Sequence, residues 1–244
     1  MTTLFQTKII NSYIIKLFLS FCLLAFSYIS PILAQKDSVN SSNYLLIINS
    51  YTEAAPWSFR MISAITEYAQ NSPQLALYTE HMNMLMMDTD STLNEFRQAV
   101  LEKYKRHSPR MLILLGNSSM ILRDDFRKMW GNIPIILCAE EDYIGPKEFY
   151  LQKKPVELTA RTPIADMAQP YNLTFLHSNF YIKENIDLIC RMTPDIKNFI
   201  FIGDERQNNQ TYNMVIKQEL KKSHPDINYQ FISPRKMQTN HLLD

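Results

Sequence analysis

Four short apolar runs, at residues 44–49, 75–82, 110–115 and 133–138, alternate with longer segments whose apolar residues recur at helical spacing. This alternation constrains the chain more than any other feature. A short apolar run bounded by turn residues suits a strand buried on both faces, and strands alternating with helices build a parallel sheet covered on both sides. The first helix is expected at 57–70, with Phe59, Ile62, Ile65 and Ala69 on one face. The second carries the capping-box pattern Thr92-x-x-Glu95 and an apolar stripe of Leu93, Phe96, Val100, Leu101 and Tyr104. A third is expected at 118–129, after Gly116 ends the third strand.

The pattern breaks after Cys138. Residues 139–178 contain Pro146, Pro155, Pro163 and Pro170 and no long periodic stretch, so they read as a connection with a short strand at 156–160. Order resumes with a helix at 180–192, turning Ile182, Ile186, Ile189 and Met192 inward, and a strand at 197–203. A helix at 208–222, with Tyr212, Val215, Ile216 and Leu220 on one face, and a strand at 227–232 follow. The expected fold is α/β: a Rossmann-like parallel lobe at 43–160, a crossover at 161–179 and the start of a second α/β lobe at 180–244. Two strands bury too little to make a stable layer alone. The second lobe is therefore expected to be incomplete and the chain to be the front part of a longer protein, or a truncated one.

Lys8 and Lys16 precede an apolar stretch at 17–34 that ends in Ala34 before polar residues. This is the pattern of a secretory signal peptide at 1–34, or of an uncleaved signal anchor. Either form predicts export to the periplasm or a periplasm-facing, membrane-anchored chain. Without residues 1–34 the chain keeps 23 basic and 24 acidic residues, a balance that implies no nucleic-acid partner. Cys138 and Cys190 read as buried, inert thiols.

Ligands of open α/β sheets bind beyond the C-terminal ends of the strands, so those loops decide the chemistry. The loop after the first strand, "SYTEAAPWS" at 50–58, has no glycine and no lysine. It matches neither a dinucleotide-binding turn nor a P-loop, and the whole chain has only 4 glycines for wrapping phosphate. A phosphate-accepting receiver would need acids where Asn49, Ser50, Gly116 and Asn117 stand. G-x-S-x-G is absent. His81, His107, His177, His224 and His241 have no metal-ligand spacing, so neither a metal site nor a cofactor is expected.

What remains is a set of amide, hydroxyl, aromatic and charged side chains at strand ends: Ser50, Tyr51, Trp57, Asn117, Ser118, Glu140, Asp204 and Arg206. Such groups orient a small polar molecule without transforming it. Each also has an ordinary structural use. Trp57 could plug the top of the first helix, Asn117 could cap the third, and Asp204 could turn the chain.

The phrases "YLLIINSYTEAAPWSFRMISAITEY", "EFRQAVLEKYKRHSPRMLILLGNSS", "NIPIILC" and "RMTPDIKNFIFIGDERQNNQTYN" resemble the extracytoplasmic sensor regions of bacterial two-component histidine kinases, often hybrid ones. Those regions are similar to type I periplasmic binding proteins and ABC-transporter substrate-binding proteins. The resemblance covers residues 43–240. It implies two Rossmann-like lobes closing on a small molecule, with Asn49, Ser50, Tyr51, Pro56, Trp57, Asn117 and Ser118 at the cleft. It further implies a membrane connection through the parent chain, compatibility with a homodimer, and no catalysis by these residues, any kinase lying elsewhere in the parent protein. The alternatives are an importer's free substrate-binding protein and an exported hydrolase using Ser118 or the cluster Glu140-Glu-Asp142.

Overall fold

A computed structural model describes residues 43–233, Pro73 and Glu205 excepted. The leader expected at 1–34 lies outside the described residues. The first strand, β1 (Tyr44–Asn49), is almost wholly buried. It is followed by α1 (Pro56–Gln70), β2 (Ala76–His81), α2 (Asp90–Tyr104) and β3 (Met111–Leu115). A 3₁₀ turn (Asn117–Leu122) leads directly into α3 (Arg123–Trp130), and β4 (Ile135–Ala139) completes the four strands expected from the apolar runs.

The segment expected as a connection is more ordered than its prolines suggested. A small antiparallel pair, β5 (Tyr143–Ile144) and β6 (Thr162–Pro163), brackets the short helix α4 (Lys147–Leu151). The strand expected at 156–160 is instead a 3₁₀ turn, Leu158–Ala160. A fifth strand, β7 (Leu173–His177), lies parallel to β4 and gives the order β2-β1-β3-β4-β7. The first lobe's sheet therefore runs past residue 160 into the expected crossover. Being an edge strand, β7 buries Leu173 and leaves Leu176 half exposed, so it carries no strong apolar pattern.

The period of two along each strand sorts the core into two layers. Leu46, Ile48, Leu112, Leu114 and Leu137 point to one face, under Leu93, Val100 and Tyr104 of α2 and Phe126 and Trp130 of α3. Ile47, Ile113, Leu115 and Cys138 point to the other, against Trp57, Ile62 and Ile65 of α1. Phe59, expected inward, is mostly exposed. α2 begins earlier than its capping box implied: Thr89 is the N-cap, and its hydroxyl accepts from the Thr92 amide at 3.2 Å. Arg97 clamps Asp125 with both its Nε, at 2.6 Å, and its terminal nitrogen, tying α2 to α3.

Beyond β7 the chain enters α5 (Ile182–Met192), β8 (Asn198–Ile202), α6 (Gln207–Ser223) and β9 (Asn228–Ile232), with β8 and β9 parallel. Ile186, Ile216 and Leu220 form this lobe's small core with Phe199 and Phe201. Ile189, Met192 and Val215, expected inward, are exposed, beside a core that has two strands among the described residues. Among the described residues no helix is long and apolar enough to cross a membrane.

Gly116 sets the junction between the loops after β1 and β3. Its φ is +87°, and a Cβ there would lie 2.9 Å from the Ser50 side chain and 3.0 Å from the Tyr51 ring. With ψ at 148° this is a backbone region that essentially only glycine occupies, costing an ordinary residue about 1–3 kcal/mol, and the overlap adds about 1–3 kcal/mol. Gly116→Ala should therefore lower unfolding free energy by about 2–4 kcal/mol in urea, with an unchanged m-value; a loss below about 1 kcal/mol would show that the loops give way freely.

Candidate functional site

The loop after β1 is shaped by Asn49, which is completely buried. Its Oδ1 accepts from the Tyr51 amide at 3.2 Å, an Asx-type turn, and its Nδ2 lies 2.9 Å from His81 Nδ1. Ser50 is buried beneath this turn, its hydroxyl donating to the Gly116 carbonyl at 3.3 Å. Asn117 is equally committed: its Nδ2 donates to the carbonyls of Glu141 and Tyr143 at 2.7 and 2.9 Å, and its Oδ1 accepts from the Glu141 amide at 3.3 Å. It holds the β4–β5 turn in place.

That turn carries Glu140 and Glu141 across to the second lobe. Glu140 Oε2 accepts from Asn208 Nδ2 at 3.2 Å and from the Tyr212 hydroxyl at 3.0 Å, both on α6. Glu141 Oε1 accepts from Gln207 Nε2 at 3.3 Å. In β8–α6, Asp204 is saturated by its neighbours: its carboxylate accepts from the Arg206 amide at 2.9 Å, Arg206 Nε at 2.7 Å and Asn209 Nδ2 at 2.6 Å.

Between these groups lies a cavity of about 330 Å³ bounded by loops of both lobes. Ser50, Tyr51, Asn117, Ser118, Glu140, Asp204 and Arg206 all line it. Trp57 does not. It packs on Ile47, Ile113 and Leu115 and meets Tyr51 edge-on, with ring centroids 5.7 Å apart. The helix begins at Pro56, so its second residue is already turned onto the sheet face; Trp57 supports the Tyr51 wall from behind. Sequence reasoning missed Asn83 and Met84, and Tyr150 and Lys153, while Glu141 belongs to the acidic cluster it had marked. Asn83 follows β2 directly, so the strand-end rule would have reached it, whereas Tyr150 and Lys153 sit in the proline-rich segment where no periodic signal exists.

Burial dominates the electrostatics. It pushes both glutamates above the usual carboxylate range. For Glu140 the bonds from Asn208 and Tyr212 oppose that rise and the neighbouring Glu141 adds to it. For Glu141 the opposing groups are Thr211, Gln207 and Tyr143. Tyr51 is also pushed up, first by burial and then by Glu140, so its hydroxyl keeps its proton. Asp204 moves down: burial works against its charge, but Arg206 and Asn209 outweigh it. In two of the lining residues a buried oxygen sealed from the cavity, Glu141 Oε2 and Asn83 Oδ1, makes no hydrogen bond of normal geometry. The described residues include no cluster of three His, Cys, Asp or Glu side chains suited to a metal ion.

No family model matches the sequence, and no curated protein matches it. Among solved structures the chain is similar to one from Bacteroides fragilis described as a LacI transcriptional regulator, at 12% identity and a TM-score of 0.51, over 84% of this chain and 64% of that one. It is also similar to a conserved domain protein from Vibrio cholerae O1 biovar El Tor strain N16961, at 11% identity and a TM-score of 0.46, over 79% and 57% of the two chains. The chain thus spans less than two thirds of either structure's length. LacI-type regulators share the type I periplasmic-binding-protein fold, and the likeness to the first structure shows that fold here. The fold resembles the ligand-binding domains of that class, with a parallel five-stranded lobe followed by a second α/β unit.

A raised folded-state pKa means that the native state holds its proton more tightly than the unfolded chain, so the associated stability is present at low pH and is lost as pH rises through the folded value. The window for Glu140 and Glu141 opens at the ordinary glutamate value of 4.5 and extends upward. Wild type should therefore gain stability relative to the Glu140→Gln, Glu141→Gln double variant as pH falls from 7.5 toward 5, measured by denaturant titration at each pH. A difference independent of pH would mean that the carboxylates are not desolvated as described.

Proposed function

We propose that this chain is the ligand-binding part of an exported, membrane-anchored sensor, the periplasm-facing module of a two-component histidine kinase, and that it recognises a small molecule in the cleft between its lobes. The observation that carries the reading is the cavity itself, lined by strand-end loops of both lobes and bridged by hydrogen bonds from Glu140 and Glu141 to α6. A ligand held by both lobes favours the closed arrangement to the extent that it binds that arrangement better, and the shift is available to whatever the second lobe is attached to.

The committed hydrogen bonding supports binding over turnover. Ser118 lines the cavity, and among the described residues no histidine lines it to serve as the usual base for a serine nucleophile. Glu140 and Glu141 are engaged with α6.

The test has two arms. In a thermal-shift screen of metabolites on the full chain, a cleft ligand at 100 times its Kd should stabilise by about 2.7 kcal/mol, with Tyr51→Ala abolishing the shift. A hit insensitive to Tyr51→Ala would lie outside the cleft and count against the proposal. Sequencing the gene downstream of codon 244 distinguishes the output: a membrane span and histidine kinase in frame is the expected result. A stop codon followed by importer permease genes would instead make the protein a transport component.

A further inference from the structure

We infer that the outer face of α1 is a homodimer interface, on which two copies of the chain pair antiparallel about a two-fold axis with Arg60 of each against Glu67 of the other. None of Phe59, Arg60, Ser63, Ala64, Glu67 and Tyr68 lines the cleft, so pairing here is independent of what the cleft binds.

α1 lies on the sheet through Trp57, Met61, Ile62 and Ile65. Its opposite side carries Phe59, Arg60, Ser63, Ala64, Glu67 and Tyr68, all exposed. Phe59 is 56% and Tyr68 74% exposed, whereas the outward face of a surface helix is normally charged and polar. α2, also 15 residues long, exposes polar residues and Ala99 and no aromatic ring. The two charges on α1 are unmatched as well. Surface neighbours on a helix stand three or four residues apart, and those positions hold Pro56, Trp57, Ser63 and Ala64 beside Arg60, and Ser63, Ala64, Gln70 and Asn71 beside Glu67. Arg60 and Glu67 themselves are about 10 Å apart along the axis, too far to pair with each other. Among the described residues neither side chain has a hydrogen-bond or ion-pair partner.

The face is complementary to itself. Phe59 and Tyr68, Arg60 and Glu67, and Ser63 and Ala64 stand symmetrically about the midpoint between 63 and 64: aromatic with aromatic, cation with anion, small with small. A two-fold axis perpendicular to the helix brings each residue level with the partner residue equally far beyond the midpoint, the isologous arrangement of most dimers. Ser63 and Ala64 then sit where the helices cross, and small side chains there allow a short interaxial distance. To either side the Arg60 guanidinium meets the partner's Glu67 at the seam, while Phe59 and the partner's Tyr68 close the two flanks of that level. Beside α1, toward β2, a groove of about 420 Å³ is lined by Phe59, Ile62, Thr66, Gln70, Thr79 and His81 among others. The pairing sets the partner's Phe59 over the end formed by Thr66 and Gln70. One charge of each sign suits a second copy of the same face; an anionic membrane surface or a nucleic acid would select a basic one.

Sedimentation equilibrium of the full chain from about 5 to 500 µM, the range in which a small interface associates, measures the pairing, with melting temperature as the check that each variant is folded. Wild type should move from the mass of one chain toward that of two. Arg60→Glu and Glu67→Arg, taken singly, each place like charges together at both symmetric contacts, and each should weaken the dimer by about 10- to 100-fold, the summed reversal of two exposed ion pairs. An equimolar mixture of the two single variants has opposite charges at both contacts and should dimerise as wild type does, and so should the Arg60→Glu, Glu67→Arg double variant. A wild type that stays monomeric through the whole range would overturn the inference and leave the face to a different partner. A dimer insensitive to both single substitutions would overturn it by placing the interface elsewhere, and a mixture no tighter than the single variants would overturn the antiparallel pairing.

Discussion

Two glutamates at the end of one strand bridge the two lobes of the described structure. Glu140 and Glu141 leave the first lobe at the C-terminal end of β4 and are met by Gln207, Asn208 and Tyr212 from the first turns of α6. Placing two adjacent carboxylates out of water is unfavourable unless each is well solvated by the protein. The first lobe fixes their backbone through Asn117, and the second offers side-chain donors. The interaction is directional, and it makes the lobe arrangement depend on the charge of two side chains.

The rest of the site follows from keeping that arrangement open on one side. Gly116 allows the β1 and β3 loops to approach within contact distance, Asn49 turns Ser50 and Tyr51 toward the cavity, and Trp57 braces Tyr51 from the core side. These residues build a wall. Arg206 pairs with Asp204 through Nε and also favours the charge of Glu140 across the cleft.

How much of this could be read from the sequence depended on burial. β1, β3 and β4 are buried on both faces, so their apolar runs are continuous and their positions were plain. β7 sits at the sheet edge after Pro170, and its half-exposed residues dilute the signal that would have marked it as a strand. The strand-end rule reached Ser50, Tyr51, Asn117, Ser118, Glu140, Asp204 and Arg206, because parallel topology places those loops on one side of the sheet. It could not settle direction. Trp57 belongs to the same loop as Tyr51 in sequence, yet one helical turn that starts at Pro56 aims it at Ile47. Nor could it tell Asn117, whose amide is fully bonded, from Asn83, whose oxygen is free, since hydrogen-bond satisfaction is a property of the folded neighbourhood.

The central claim is that Glu140 couples the two lobes energetically, and a double-mutant cycle on Glu140→Gln and Tyr212→Phe measures that coupling directly. Unfolding free energies of wild type, both single variants and the double variant at pH 7.5 give the interaction energy without assigning it to either side chain alone. The account predicts a coupling of about 1.5–3 kcal/mol, the range for a hydrogen bond to a charged group. A coupling within about 0.3 kcal/mol of zero, the additivity expected of independent sites, would mean that the glutamates and α6 are neighbours without being partners.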